Sequence, residues 1–147
     1  MIVLDTNVIS ALMQSNPDST VVDWLDAQPA ESVWTTSVCV FEVLYGLETM
    51  TKGRRRQALQ EAFEQTLQQD MEGRILEFDV AAAQQAAIIA AKLHAVGRPV
   101  EIRDVQIAGV VAARRGTLAT RNTKHFIDSG VPLVNPWKDG PREDDAT

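Results

Sequence analysis

Cysteine and histidine are nearly absent from this chain. Cys39 is the only cysteine, and His94 and His125 are the only histidines. That excludes an internal disulfide and a zinc site built from thiolates or several imidazoles. A single cysteine in an apolar stretch reads as a small buried residue rather than a nucleophile. Aromatic residues make up only 5% of the chain, so the interior has to be built from Ala, Val, Leu and Ile, and few rings are available to stack on bases. No apolar run approaches the ~20 residues of a membrane span. No basic stretch followed by a long apolar segment opens the chain either, so a reducing, cytoplasmic location without membrane attachment is expected. Cations are in the minority, with 14 Lys and Arg against 20 Asp and Glu and a net charge of −6. This argues against nonspecific affinity for nucleic acid. The excess is uneven, because residues 138–147 alone hold four acids against two bases.

What is present is a regular alternation of two patterns. At 147 residues and 45% hydrophobic, the chain fits one domain with a proper core. Short β-branched or apolar runs at 2–4, 33–36, 74–78, 118–120 and 132–134 read as five strands. Between them lie helical patterns: one from 6 or 7 to 13, one opened by Asn16-Pro17 and ending near Pro29, one over 38–49 with Ser37 as its N-cap, and a long polar one over 52–71. An Ala-rich helix over 80–96 is capped by Asp79 and stopped by Gly97, a helix over 103–114 ends at Gly116, and a helical turn covers 123–127. Strands separated by helices imply right-handed crossovers and an α/β fold: a three-layer α/β/α sandwich on a five-stranded, mainly parallel sheet. Residues 1–137 form the expected domain. The tail 138–147 is charged and lacks apolar anchors, so it is expected to be disordered.

Three acids interrupt these apolar patterns. Asp5 ends the first strand, and ligands of parallel sheets collect beyond the carboxyl ends of strands; it is equally suited to cap the helix that begins at Thr6. On a helical wheel Val40, Val43, Leu44 and Leu47 share one face, whereas Glu42 lies on the other beside Val38, Tyr45 and Gly46. A mid-helix glycine costs about 1 kcal/mol relative to alanine, which a close approach to that face would explain; an ordinary solvated glutamate is the competing reading. Asp104 shares a face with Ala108 and Val111 and also complements the helix dipole. Three carboxylates in one cleft would raise each other's pKa unless cations kept them ionised. With oxygen ligands only, the ion would be Mg²⁺ or Mn²⁺ rather than Zn²⁺.

The stretches Val3-Leu4-Asp5-Thr6-Asn7, Val40-Phe41-Glu42-Val43-Leu44-Tyr45-Gly46-Leu47, Arg103-Asp104-Val105-Gln106-Ile107-Ala108 and Leu118-Ala119-Thr120-Arg121-Asn122-Thr123-Lys124-His125-Phe126, in that order and spacing, resemble a PIN domain. Within that family they are most similar to VapC-type toxins of the FitB-like kind, over residues 1 to about 137. The resemblance implies a Mg²⁺- or Mn²⁺-dependent endoribonuclease, the toxin of a toxin–antitoxin pair, held inactive by a small antitoxin and commonly a homodimer. It assigns Asp5, Glu42 and Asp104 to the metal site and to catalysis. Thr6, Asn7 and Thr120 match the polar residues around it. Asn122 stands where many PIN domains have a fourth acid, and an acid is frequent where His125 stands, which leaves one or two cations open. Arg98, Arg103, Arg121 and Lys124 flank the site in sequence and are the expected phosphate contacts. Residues 52–56 form a second basic run that also reads as a solvated helix start. His94 and His125 are candidate proton shuttles, and Phe41 and Tyr45 suit a dimer or antitoxin surface.

Competing functions fit less well. A phosphotransfer receiver needs an acidic pair after its first strand, where Thr6 follows Asp5, and a phosphatase with Asp5 as nucleophile needs a second Asp where Asn7 stands. A catalytically inactive binding module that sequesters an antitoxin or RNA remains the alternative, supported by the neutral Asn122.

Overall fold

The computed structural model describes residues 1–139. Five strands form one sheet in the order β3-β2-β1-β4-β5, with β1 (Ile2–Leu4) in the middle. On one side β1 pairs with β2 (Val33–Thr36), which pairs with β3 (Ile75–Leu76); on the other it pairs with β4 (Thr117–Ala119), followed by β5 (Leu133–Val134). Every pairing is parallel, so all carboxyl ends lie on one edge. The chain moves outward from β1 to β3 and then returns to β4 on the opposite side. This reversal makes the end of β1 and β4 a topological switch point, where an open α/β sheet offers a crevice.

The helices are α1 (Thr6–Leu12), α2 (Ser19–Asp26), α3 (Ser37–Thr49), α4 (Arg54–Gln65), α5 (Val80–Ala95), α6 (Ile102–Arg114) and α7 (Thr123–Phe126). Right-handed crossovers put helices of the β1–β3 half and of the return to β4 on opposite faces, the α/β/α sandwich expected from the alternation. The core is aliphatic. Val3, Leu4, Val8, Ile9, Val110, Val111 and Leu118 are fully buried, and among the described residues the buried aromatics are Trp24, Phe63 and Phe126.

Several boundaries differ from the sequence expectation for local reasons. Thr36, not Ser37, caps α3, its hydroxyl accepting from the Cys39 N–H at 3.0 Å; Ser37 opens the helix and its hydroxyl accepts from the Phe78 N–H instead. The long helix expected over 52–71 is α4 followed by a π-helical turn at Thr66–Asp70. There the Thr66 hydroxyl bonds back to the Ala62 carbonyl at 2.9 Å and the Met71 N–H reaches Thr66 O, which widens the turn. The strand expected over 74–78 pairs only at Ile75–Leu76. Lys138 and Asp139, assigned to the tail, belong to a turn: both N–H groups donate to Asn135 O, and the Asp139 carboxylate accepts from the Asn135 N–H. The rest of the expected disordered tail lies outside the described residues.

Candidate metal centre

Asp5 follows β1 directly and does two things at once. Its Oδ1 accepts from the Thr6 N–H at 2.8 Å, capping α1, while its Oδ2 accepts from the Thr120 hydroxyl at 2.7 Å and from Asn7 Nδ2 at 3.2 Å. Thr120 follows β4, so the carboxylate bridges the two strands at the switch point. The same hydroxyl accepts from Asn7 Nδ2 and from the Asn122 N–H. Asp5 is 5% exposed. Among the described residues no Lys, Arg or His lies within ion-pair distance of it. Burial pushes its carboxyl above the ordinary range, against the hydrogen bonds from Thr120, Thr6 and Asn7, and the nearby Asp104 adds to the rise.

Glu42 reaches the same place from α3. The Thr6 hydroxyl donates to its Oε1 at 2.9 Å, and Arg103 from α6 lies 3.7 Å from its Oε2. Burial raises its carboxyl, and Asp5 raises it further while Arg103 lowers it. Asp104, in the first turn of α6, is half-buried, and His125 Nδ1 lies 3.5 Å from its Oδ2. Burial again raises the carboxyl, His125 lowers it, and Glu101 and Glu42 raise it. The three acids therefore act on one another's ionisation. They are not equally close: ligand atoms of Asp5, Glu42 and Cys39 lie within 4.8 Å of one another, a grouping that does not include Asp104. Cys39 Sγ is 4.0 Å from Asp5 Oδ1. Full burial and the neighbouring Asp5 charge push the thiol up to about 11, so it stays protonated and inert near neutrality. The hard oxygens of two carboxylates, with a third on the adjoining helix, suit a hard divalent cation, and a buried carboxylate with no cationic partner among the described residues is what such an ion relieves.

A scan of the sequence against family models matches the description PIN domain over residues 2–128. The chain belongs to the PIN domain family. The VapC ribonuclease Y4jK of Sinorhizobium fredii is 37% identical over 138 residues, covering 94% of this chain and 99% of that protein. Toxin FitB of Neisseria gonorrhoeae is 35% identical over 139 residues, covering 95% and 100%. The crystal structure of FitAcB from Neisseria gonorrhoeae superimposes with a TM-score of 0.84 at 35% identity, covering 94% of this chain and 99% of that one. This PIN domain thus has relatives of the VapC and FitB kind along almost its whole length.

The expected phosphate contacts occupy varied positions. Arg98 pairs with Asp128 at 3.3 Å, and Arg103 lies between Glu42 and Glu101, each at 3.7 Å. The Arg121 guanidinium stacks on Trp137, 4.9 Å from the ring centroid, while the Arg121 backbone N–H donates to Asn7 Oδ1. Lys124 is exposed and forms no ion pair among the described residues. The Asn122 side chain is exposed and caps nothing; its backbone N–H is what touches the cluster, on Thr120. His94 is exposed in the last turn of α5.

Sequence reasoning missed the basic side chains beside the acids, Arg103 at Glu42 and His125 at Asp104, and it missed Thr6 as the tether of Glu42. The one-turn spacing of Glu101 and Asp104 with Arg103 between them was the available signal for a charge network at the start of α6. The wheel of α3 needs correction too. Cys39, Val43 and Leu47 form the buried stripe together with Val38, whereas Leu44 is 43% exposed. A Cβ at Gly46 would meet nothing within 4 Å, so among the described residues none makes the close approach expected there.

Proposed function

We propose that this chain is a divalent-cation-dependent endoribonuclease, the toxin of a toxin–antitoxin pair, acting in the cytoplasm and restrained by a small cognate antitoxin. The observation that carries the reading is the buried Asp5 carboxylate at the switch point, without a cationic partner among the described residues and with a carboxylate oxygen of Glu42 within 4.8 Å. The VapC ribonuclease and FitB toxin relatives support it along the full length.

In this reading Asp5, Glu42 and Asp104 hold Mg²⁺, with Mn²⁺ as a substitute. When bound, the ion supplies water activation and neutralises the charge that builds on the phosphate of the RNA. The chain's own residues prepare the site. Thr120 and Asn7 fix the rotamer of Asp5, and Thr6 ties Glu42 to the first turn of α1. Arg103 partly offsets the charge of Glu42, and His125 Nδ1 faces Asp104 Oδ2. Lys124, on the lip beside His125, and Arg121, held in place by Trp137, supply phosphate contacts that steer the strand. His125 is the nearer candidate for moving a proton, since it already faces Asp104. A homodimer or antitoxin surface is supported by α3, where Phe41, Leu44 and Tyr45 are exposed and the rings of Phe41 and Tyr45 stack at 6.0 Å.

The test is direct. The purified chain, freed of any partner, is incubated with RNA and Mg²⁺ and compared with its Asp5→Asn variant and with an EDTA control. Cleavage that EDTA and the substitution both abolish supports the nuclease. Intact RNA in all three, with antitoxin binding retained, supports the inactive binding module instead.

A further inference from the structure

Beside the acids lies a cavity of about 310 Å³, bounded by α5, α6, the loop between them and α7. The cation and phosphate chemistry above uses residues of its rim but not its apolar interior. Its inner wall is apolar, formed by Ile89, Leu93, Val105, Ala108 and Phe126. Its rim is polar, and Asp104 belongs to that rim, so the cavity opens on one of the carboxylates assigned to the cation.

We propose that this cavity receives a single unpaired nucleobase of the RNA, from a nucleotide adjoining the phosphate that is cut, and thereby selects which base is accepted there. The inference rests on the endoribonuclease reading and deepens it. Size is the first support: the volume lies at the small end of ligand pockets, roughly 300–1,000 Å³, and suits one flat heterocycle rather than a peptide segment. Surface chemistry is the second. A base drawn out of its strand loses stacking on both faces, and aliphatic walls with one phenylalanine restore apolar contact. Its edge still needs donors and acceptors. Arg98 on the rim donates, and the Asp128 and Glu101 carboxylates accept from ring N–H and exocyclic amino groups. Because the rim carries both signs, it favours a neutral heterocycle with a mixed edge over a charged protein side chain. Placement is the third: Lys124 and His125 lie on the same lip, where the phosphate that follows the base would pass.

The test uses a single-stranded RNA oligonucleotide that the wild-type chain cuts with Mg²⁺, and a series carrying one abasic residue at each position in turn. One position next to the scissile bond is expected to cost about tenfold or more in cleavage when the base is missing, while distant positions cost little. Leu93→Trp, which fills the cavity without touching the acids, is expected to cut intact and abasic oligonucleotides at the same rate, that of the abasic one in wild type. Should that variant fail to fold, Leu93→Ala enlarges the cavity and is expected to broaden the bases tolerated at that position alone. A flat abasic profile in a wild-type chain that does cut RNA overturns the base pocket and leaves the nuclease standing. The same penalty persisting in a folded Leu93→Trp chain also overturns it. So does an unchanged abasic profile in a Leu93→Trp chain that no longer holds the antitoxin it is co-expressed with, which would assign the cavity to a protein segment. Absence of any Mg²⁺-dependent cleavage by wild type removes the nuclease reading, and this inference with it.

Discussion

Thr120 illustrates how much of this site is carried by a residue with no charge. One hydroxyl donates to Asp5 Oδ2 and accepts from Asn7 and from the Asn122 N–H, so it fixes the carboxylate's orientation and ties β4 to β1. Thr120→Val keeps the shape and removes all three bonds. Losses from groups that orient a metal ligand run to about 10–100-fold, and a fall of that size in Mg²⁺-dependent cleavage is expected, with the Mg²⁺ concentration for half-maximal rate rising in step. Asp104→Asn should abolish turnover, yet leave the metal-free melting temperature unchanged or slightly higher, because it removes one of three carboxylates that burial and mutual repulsion hold above their ordinary pKa. A clear drop in melting temperature without metal would show that the Asp104–His125 pair supports the fold instead. The positions of the acids were legible because each breaks an apolar pattern. The roles of Arg103 and His125 were not, since each meets its acid across a boundary between segments, which no local spacing records.

At the scale of elements, the close approach expected at Gly46 is found at Gly109 instead. Gly46 drew attention as a mid-helix glycine, but a side chain there would stand in open space. Gly109 lies where α6 meets α5: a Cβ would sit 2.6 Å from Ala82 O and 2.7 Å from Ala86 Cβ. Gly109→Ala is therefore expected to force the helices apart and lower stability by about 1–3 kcal/mol, read from a denaturant midpoint. Gly46→Ala should instead raise the stability of the isolated chain by about 1 kcal/mol through helix propensity alone. If it also weakens self-association or antitoxin binding, the open face of α3 is the one a partner approaches. Element types and order followed from periodicity, because strands here are β-branched and helices amphipathic. Boundaries moved where side-chain hydroxyls compete for backbone groups: Thr36 takes the cap from Ser37, and Thr66 breaks the long polar helix into α4 and a π turn. The sheet order, with β1 between β2 and β4, comes from long-range packing and the return of the chain, and the strands do not encode it locally.

Across the whole molecule the net charge is −6, and three of the acids, Asp5, Glu42 and Asp104, share one crevice where all are pushed above their ordinary pKa, by burial first. An acid whose folded pKa exceeds its unfolded value adds stability that is complete below the unfolded value and is lost as pH rises through the folded one. For these three groups the loss begins above the ordinary carboxylate range near 4 and is complete once all are ionised. Without metal, the melting temperature of wild type should therefore fall, relative to Asp5→Asn, as pH is raised from about 4 toward neutrality. Divalent cations bind the ionised form, so they act in the opposite direction. Their stabilisation should be small near pH 4 and grow with pH as protons leave the site. At a Mg²⁺ concentration about 100 times the dissociation constant the gain is ~2.7 kcal/mol, which for a domain of this length corresponds to roughly 5–10 °C. Differential scanning fluorimetry over a grid of pH and Mg²⁺ checks both signs. A Mg²⁺ shift that is independent of pH, or that survives intact in Asp5→Asn, would place the ion away from these carboxylates.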